Sequence, residues 1–166
     1  MFAGKGEYKN LTLDKKGEQV AFHLNLDTTK AQIPPFALAY WKDDLSQAKI
    51  IADTASSILA ENWRVSENGK LGFSEDGQKL YFGIAPLPIL QDTSRLEEDI
   101  VNVEVWSYQD AVLHTQQNNR LKQEKNRTYA AVWNIVDNQL VQLGSKEIPE
   151  VRLGDEGNAD YVLGYN

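Results

Sequence analysis

The sequence contains no cysteine in its 166 residues. Disulfides, thiolate metal sites and cysteine nucleophiles are therefore excluded. Histidine occurs only at His23 and His114, and no H-E-x-x-H pair is formed. The acidic turns at Asp14, Glu75-Asp76 and Asp155-Glu156 lack the D-x-D-x-D-G order of a calcium loop. No metal and no cofactor is expected. A G-x-S-x-G elbow is missing too, since Gly72-Phe73-Ser74 runs on into Glu75-Asp76. A hydrolase serine needs that strained strand-to-helix turn, with a His base and an acid beside it. No catalytic residue is expected in this chain, and His23 and His114 are read as structural or surface side chains.

Positive charge is also scarce, with 17 Lys and Arg against 24 Asp and Glu and a net charge of −7. Nucleic-acid binding needs a basic footprint, and this balance lacks one. Long apolar runs are absent. The longest, Ile33 to Trp41, includes two prolines and is too short to cross a bilayer. The N-terminal MFAGKGEYKNLTLD lacks the apolar core of a signal peptide. If the segment derives from an exported precursor, its signal is expected upstream.

What is present suits a folded chain. Hydrophobic residues make up 42%, with four Trp and seven Tyr, enough apolar surface to offset the entropy of ordering. Strand signals dominate, and one pattern recurs three times. The copies are Leu11-Thr-Leu-Asp-Lys-Lys-Gly17-Glu-Gln-Val-Ala-Phe22, Leu71-Gly-Phe-Ser-Glu-Asp-Gly77-Gln-Lys-Leu-Tyr-Phe82 and the weaker Val151-Arg-Leu-Gly-Asp-Glu-Gly157-Asn-Ala-Asp-Tyr-Val162. Each reads as a strand, a polar turn closed by Gly, and a second strand. The turn glycine is needed where φ is positive. The polar residues before it bond to the turn backbone.

The three glycines are 60 and 80 residues apart, which leaves room for a four-stranded sheet and an insertion in each unit. Phe36–Trp41 with Gln47–Ile51 supplies further strands after the first hairpin. Ile100–Trp106, then Tyr129–Ile135 paired with Gln139–Leu143 across Asp137-Asn138, supplies them after the second. The polar stretch His114 to Arg127 reads as an inserted helix, with an extended ribbon as the alternative, and Asp53–Glu61 is ambiguous. The predicted fold is all-β: a partial β-propeller of two to three four-stranded antiparallel blades, with hairpins near 9–24, 69–85 and 150–165 and a short helical insertion near 114–127. The whole of 1–166 is read as one such fragment, because a closed propeller needs about four to eight blades.

The segment Leu71–Ala85, LGFSEDGQKLYFGIA, resembles the WD-like propeller repeat W/F-S-x-D-G-x-x-I/L-x-F, found in the TolB propeller and in prolyl-oligopeptidase relatives. The first copy departs from it, with Leu13-Asp14-Lys15-Lys16-Gly17, and the third departs further. A longer run over residues 63–133 is similar to the propeller of bacterial prolyl-oligopeptidase-family serine peptidases. That resemblance implies a noncatalytic propeller that gates or orients peptide substrates. The hydrolysis would belong to a C-terminal α/β-hydrolase domain of a parent chain. It also implies an exported or periplasmic location as part of a longer precursor, though the composition fits the cytoplasm as well. The alternative is a TolB-like or carbohydrate-binding propeller acting as a binding module. Neither reading involves nucleic acid or a membrane.

Glu97 and Glu98 are the candidate substrate-binding pair. In dipeptidyl-peptidase relatives a propeller-borne Glu pair holds the substrate amine by charge-assisted hydrogen bonds. The aromatic residues that surround the family's pair are missing from Ser94–Ile100, and Arg95 stands next to it. An exposed acidic loop is the competing reading. Trp41, Trp63, Trp106 and Trp133 are expected to pack between sheets, with a sugar-stacking surface as the alternative. Open sheet edges predict self-association.

Overall fold

The computed structural model describes residues 5–29, 31–53, 59–90, 107–109 and 111–166. The chain divides into two compact units, Met1–Leu87 with Thr128–Asn166, and Pro88–Arg127.

In the first unit, β-branched and aromatic residues alternate with polar ones, which favours strands with two distinct faces. The strands β1 (Glu7–Leu13), β2 (Gln19–Asn25), β3 (Ala37–Lys42) and β4 (Lys49–Ala52) form an antiparallel meander in the order β1-β2-β3-β4. A bulge between Lys9 and Thr12 interrupts the β1–β2 register, and Asn10 sits there with φ of 54°.

The second sheet repeats the plan. β5 (Trp63–Val65) and β6 (Gly72–Phe73) lie one after the other along the same edge of β7 (Lys79–Pro86). Then follow β8 (Tyr129–Asn134) and β9 (Gln139–Gln142), so this sheet is also four positions wide. Between β5 and β6 the chain turns at Gly69, which crosses β7 at Gly83. A Cβ on Gly69 would fall 2.3 Å from the Gly83 Cα, so both must be glycine for the backbones to meet. The last hairpin joins β10 (Glu150–Leu153) to β11 (Val162–Tyr165).

The first sheet packs on the second through one core. We call the face a sheet turns to the next sheet its rear, and the opposite face its front. The rear of the first sheet carries Ala21, Leu38 and Tyr40. The front of the second carries Leu80, Phe82, Ile84, Ala131 and Trp133, and all of these residues are buried in one cluster. Tyr40 meets Trp133 edge to face at 4.9 Å. Burying these side chains supplies most of the driving force for stacking. Trp133 therefore packs between sheets, as expected, and Trp63 packs on Tyr129 at 5.0 Å. Trp106 lies outside the described residues.

The second unit holds α1 (His114–Lys125), in the stretch where the sequence predicts a helix. Its residues are good helix formers, and none of them is buried. Lys122 and Lys125 in its last turn oppose the negative helix end. Arg127 grips Glu124 with two hydrogen bonds of 2.7 and 2.6 Å just beyond. Among the described residues no helix is long and apolar enough to cross a membrane.

The expectation of a mostly β chain with antiparallel sheets and one helix holds, while the sheets have four, five and two strands. The strand neighbouring β7, however, is Tyr129–Asn134. The expected strand at 100–106 lies outside the described residues.

Candidate functional site

A ladder of hydrogen bonds links the three hairpin turns of the first unit. Gly17, Gly77 and Gly157 have φ of 76°, 72° and 88°, a conformation that a Cβ disfavours. In each turn that glycine N–H donates to the carbonyl three residues back, on Asp14, Ser74 and Gly154 at 3.2, 3.0 and 2.9 Å. The side chain at that position fixes the first two turns. Asp14 Oδ1 accepts the backbone N–H of Glu18 and of Gln19, each at 2.9 Å. Ser74 Oγ donates to Asp76 Oδ1 at 2.6 Å and accepts the Lys79 N–H at 2.9 Å.

Asp14, in the first of the acidic turns, is buried. Burial pushes its carboxyl pKa up. Hydrogen bonds from Gln19, Glu18 and Gly17 outweigh that and hold it below the usual carboxylate value. Asp76 is held low mainly by the Ser74 hydroxyl and the Gln78 N–H. Ser74 is itself buried, with its hydroxyl engaged inside the turn.

Each turn reaches the next by the same device. Gln19, two residues past Gly17, donates from Nε2 to the Gly77 carbonyl at 3.0 Å. Lys79, two residues past Gly77, donates from Nζ to the Asn158 and Ala159 carbonyls at 2.8 Å and to Asp160 Oδ1 at 2.9 Å. Lys15 pairs with Glu75 on the following turn. The Glu75 N–H then donates to the Glu156 carbonyl at 3.2 Å on the third. Tyr81 donates to the Gly157 carbonyl at 2.8 Å. Glutamine and lysine serve the same place because both are long donors that can reach a carbonyl one sheet away.

Replacing Lys79 by Met should loosen the terminal hairpin selectively. Hydrogen bonds from a charged donor are worth about 1.5–3 kcal/mol. Amide-exchange protection in β10 and β11 should fall about tenfold or more, while the Phe82 and Ala131 amides keep theirs. Unchanged protection in the hairpin would refute the anchoring role.

A second polar group lies between the first two sheets. His23 is fully buried, and its Nδ1 accepts from Asn10 Nδ2 at 3.2 Å. The same Asn10 amide donates to the Glu67 carbonyl at 2.6 Å. Because Asn10 is the donor, the imidazole proton sits on Nε2, which has no hydrogen-bond partner among the described residues. Burial drives the His23 pKa down to about 4; Glu67 opposes the shift and Lys9 adds to it. Lys9 also lies 4.7 Å above the Phe36 ring. Arg64 Nη1 points to Glu67 Oε2 at 3.4 Å. This cluster ties the β1 bulge to the loop after β5.

Tyr40 belongs to the same interface and donates to Gln19 Oε1 at 2.6 Å. Burial first, then the Asp44 and Asp14 charges, pushes its pKa up to about 12, so it remains a donor.

The front of the first sheet holds an open groove of about 820 Å³, whose lining includes Tyr8, Val20, Phe22, Trp41 and Leu45. A second space of about 610 Å³ lies between the second sheet and the terminal hairpin, beside Tyr81, Val151 and Gly157.

Glu97 and Glu98 lie outside the described residues. His23 belongs to the first unit and His114 to the second. Among the described residues no group of three His, Asp or Glu side chains could hold a metal ion. The turn-to-turn donors Gln19 and Lys79 were not singled out from the sequence, although both stand two residues after a turn glycine in the repeat. No family model, no curated protein and no solved structure matches this chain.

Proposed function

We propose that this chain is a noncatalytic β-propeller segment that gates or orients peptides for a serine hydrolase domain of the prolyl-oligopeptidase type. One observation carries the propeller part. The relation of the first sheet to the second recurs between the second sheet and the terminal hairpin, donor for donor, as Gln19 to Gly77 and Lys79 to Asn158. A relation repeated by successive units is how propellers and other repeat arrays are built. The peptidase part is supported by the sequence run over residues 63–133.

The coding sequence that continues this chain tests the peptidase part. A G-x-S-x-G elbow followed by Asp and His is expected. The full product should cleave short prolyl peptides, and deleting residues 1–166 should let it attack longer polypeptides. The 166-residue chain alone should leave proline-containing chromogenic peptides intact. Turnover sensitive to serine inhibitors would overturn the noncatalytic reading. A coding sequence without the elbow would leave a propeller that acts as a binding module.

A further inference from the structure

β1 buries none of its seven residues, so apolar packing contributes little to holding it on the second sheet. Asn10, at the β1 bulge, reaches across to the loop after β5 instead. Its Nδ2 donates to the Glu67 carbonyl at 2.6 Å and lies 3.2 Å from His23 Nδ1. A backbone carbonyl can only accept, so Glu67 fixes which end of the Asn10 amide faces it. His23 Nδ1 must then accept as well, with the ring proton on Nε2. One NH2 group therefore serves two acceptors.

That arrangement holds only while the imidazole is neutral. Nδ1 is the ring nitrogen left to take a proton, and it lies against an exposed side chain. Once a solvent proton is bound there, Nδ1–H and Asn10 Nδ2 are two donors facing each other. The amide can turn its Oδ1 to the imidazolium, but the same oxygen then opposes the Glu67 carbonyl. Staying on Glu67 would leave a buried, charged donor without a partner. A charged donor is the costlier one to strand, whereas the Asn10–Glu67 bond is exposed and water can replace it. The amide therefore follows the imidazolium. Among the described residues, the charged groups that face the ring are Lys9, Glu67 and, through Glu67, Arg64. Lys9 lies opposite His23 in the β1–β2 register and opposes protonation. Glu67 favours it, and its carboxylate is held by Arg64 Nη1 at 3.4 Å. On the other side β3 places Leu38 opposite His23.

We infer that His23 and Asn10 form an acid-released clasp, which ties the β1 bulge to the loop after β5 while the imidazole is neutral and lets go of the Glu67 carbonyl when the ring is protonated. The release is local. It turns one exposed amide and leaves the core between the sheets in place.

An NMR titration of the full 166-residue chain tests this, following the Glu67 carbonyl carbon and the Asn10 side-chain amide in the folded state. Both signals should move together with a midpoint at about pH 4, where burial places the His23 titration. His23→Leu has no Nδ1 to protonate, so its Glu67 signal should stay at the clasped position throughout. Asn10→Ala changes an exposed residue and should leave the fold intact. Its Glu67 signal should sit at the released position already at about pH 6, where the imidazole of the folded chain is neutral, and should not move further. Glu67→Gln keeps the backbone carbonyl and removes only the carboxylate. Its transition should persist at lower pH, because that carboxylate favours the imidazolium. A Glu67 signal that moves equally in wild type and His23→Leu overturns the inference. So does one that is the same in wild type and Asn10→Ala at about pH 6, or a transition that vanishes in Glu67→Gln. A core that unfolds before the Glu67 signal moves overturns it as well, since nothing is then released from a standing fold.

Discussion

Replacing Trp133 by Ala should lower the unfolding free energy by about 3–5 kcal/mol. Trp133 is buried between the two sheets, with its ring against Tyr40. Truncation removes a large apolar contact and leaves a cavity that neither sheet can close without moving its neighbour. Urea unfolding followed by circular dichroism reads the loss. A double-mutant cycle with Tyr40→Ala should show coupling of about 0.5–1.5 kcal/mol from the edge-to-face pair. Trp41 occupies the same register position on the first sheet and is only half-buried. Trp41→Ala should therefore cost clearly less. Equal losses at the two tryptophans would mean that the sheets do not share a core in the way described.

Acidification should weaken the fold through His23. The usual histidine pKa is 6.5, and in the folded chain burial lowers it to about 4. Between those values the unfolded chain binds a proton that the folded chain does not. The unfolding free energy therefore falls as pH drops from 6.5 towards 4, by about 3 kcal/mol over the window. Above 6.5 the imidazole is neutral in both states and contributes no slope. The groups that face it are Asn10, Glu67 and Lys9. His23→Leu should flatten the stability curve in this window. The depressed carboxylates Asp14 and Asp76 act at lower pH, where they take up protons, and their loss should persist in the variant. An undiminished slope between pH 6.5 and 4 in His23→Leu would refute the assignment.

Several features were legible in the residues because they are set locally. The hairpins at Gly17, Gly77 and Gly157 follow from turn chemistry that spans only a few positions. The helix at His114–Lys125 follows from an uninterrupted run of polar helix formers without Gly or Pro. The partner of β7 was less accessible. The chain leaves β7 at Pro86 and returns to pair with it only at Tyr129. Loop-closure entropy rises only logarithmically with length, so sequence proximity is a weak guide to which strand pairs.

By itself, then, the sequence determined the strand-turn-strand units, their repeat and the alternation that gives each sheet two faces. The tertiary structure alone decided which copies of the same pattern are covered. Phe22 and Phe82 are equivalent in sequence, yet Phe82 is buried and Phe22 borders an open groove. Asp14 stands in a polar turn and His23 is read as structural or surface, and the fold buries both. Burial depends on what a neighbouring sheet brings to a face, and that contact joins residues some 60 positions apart, such as Gln19 and Gly77.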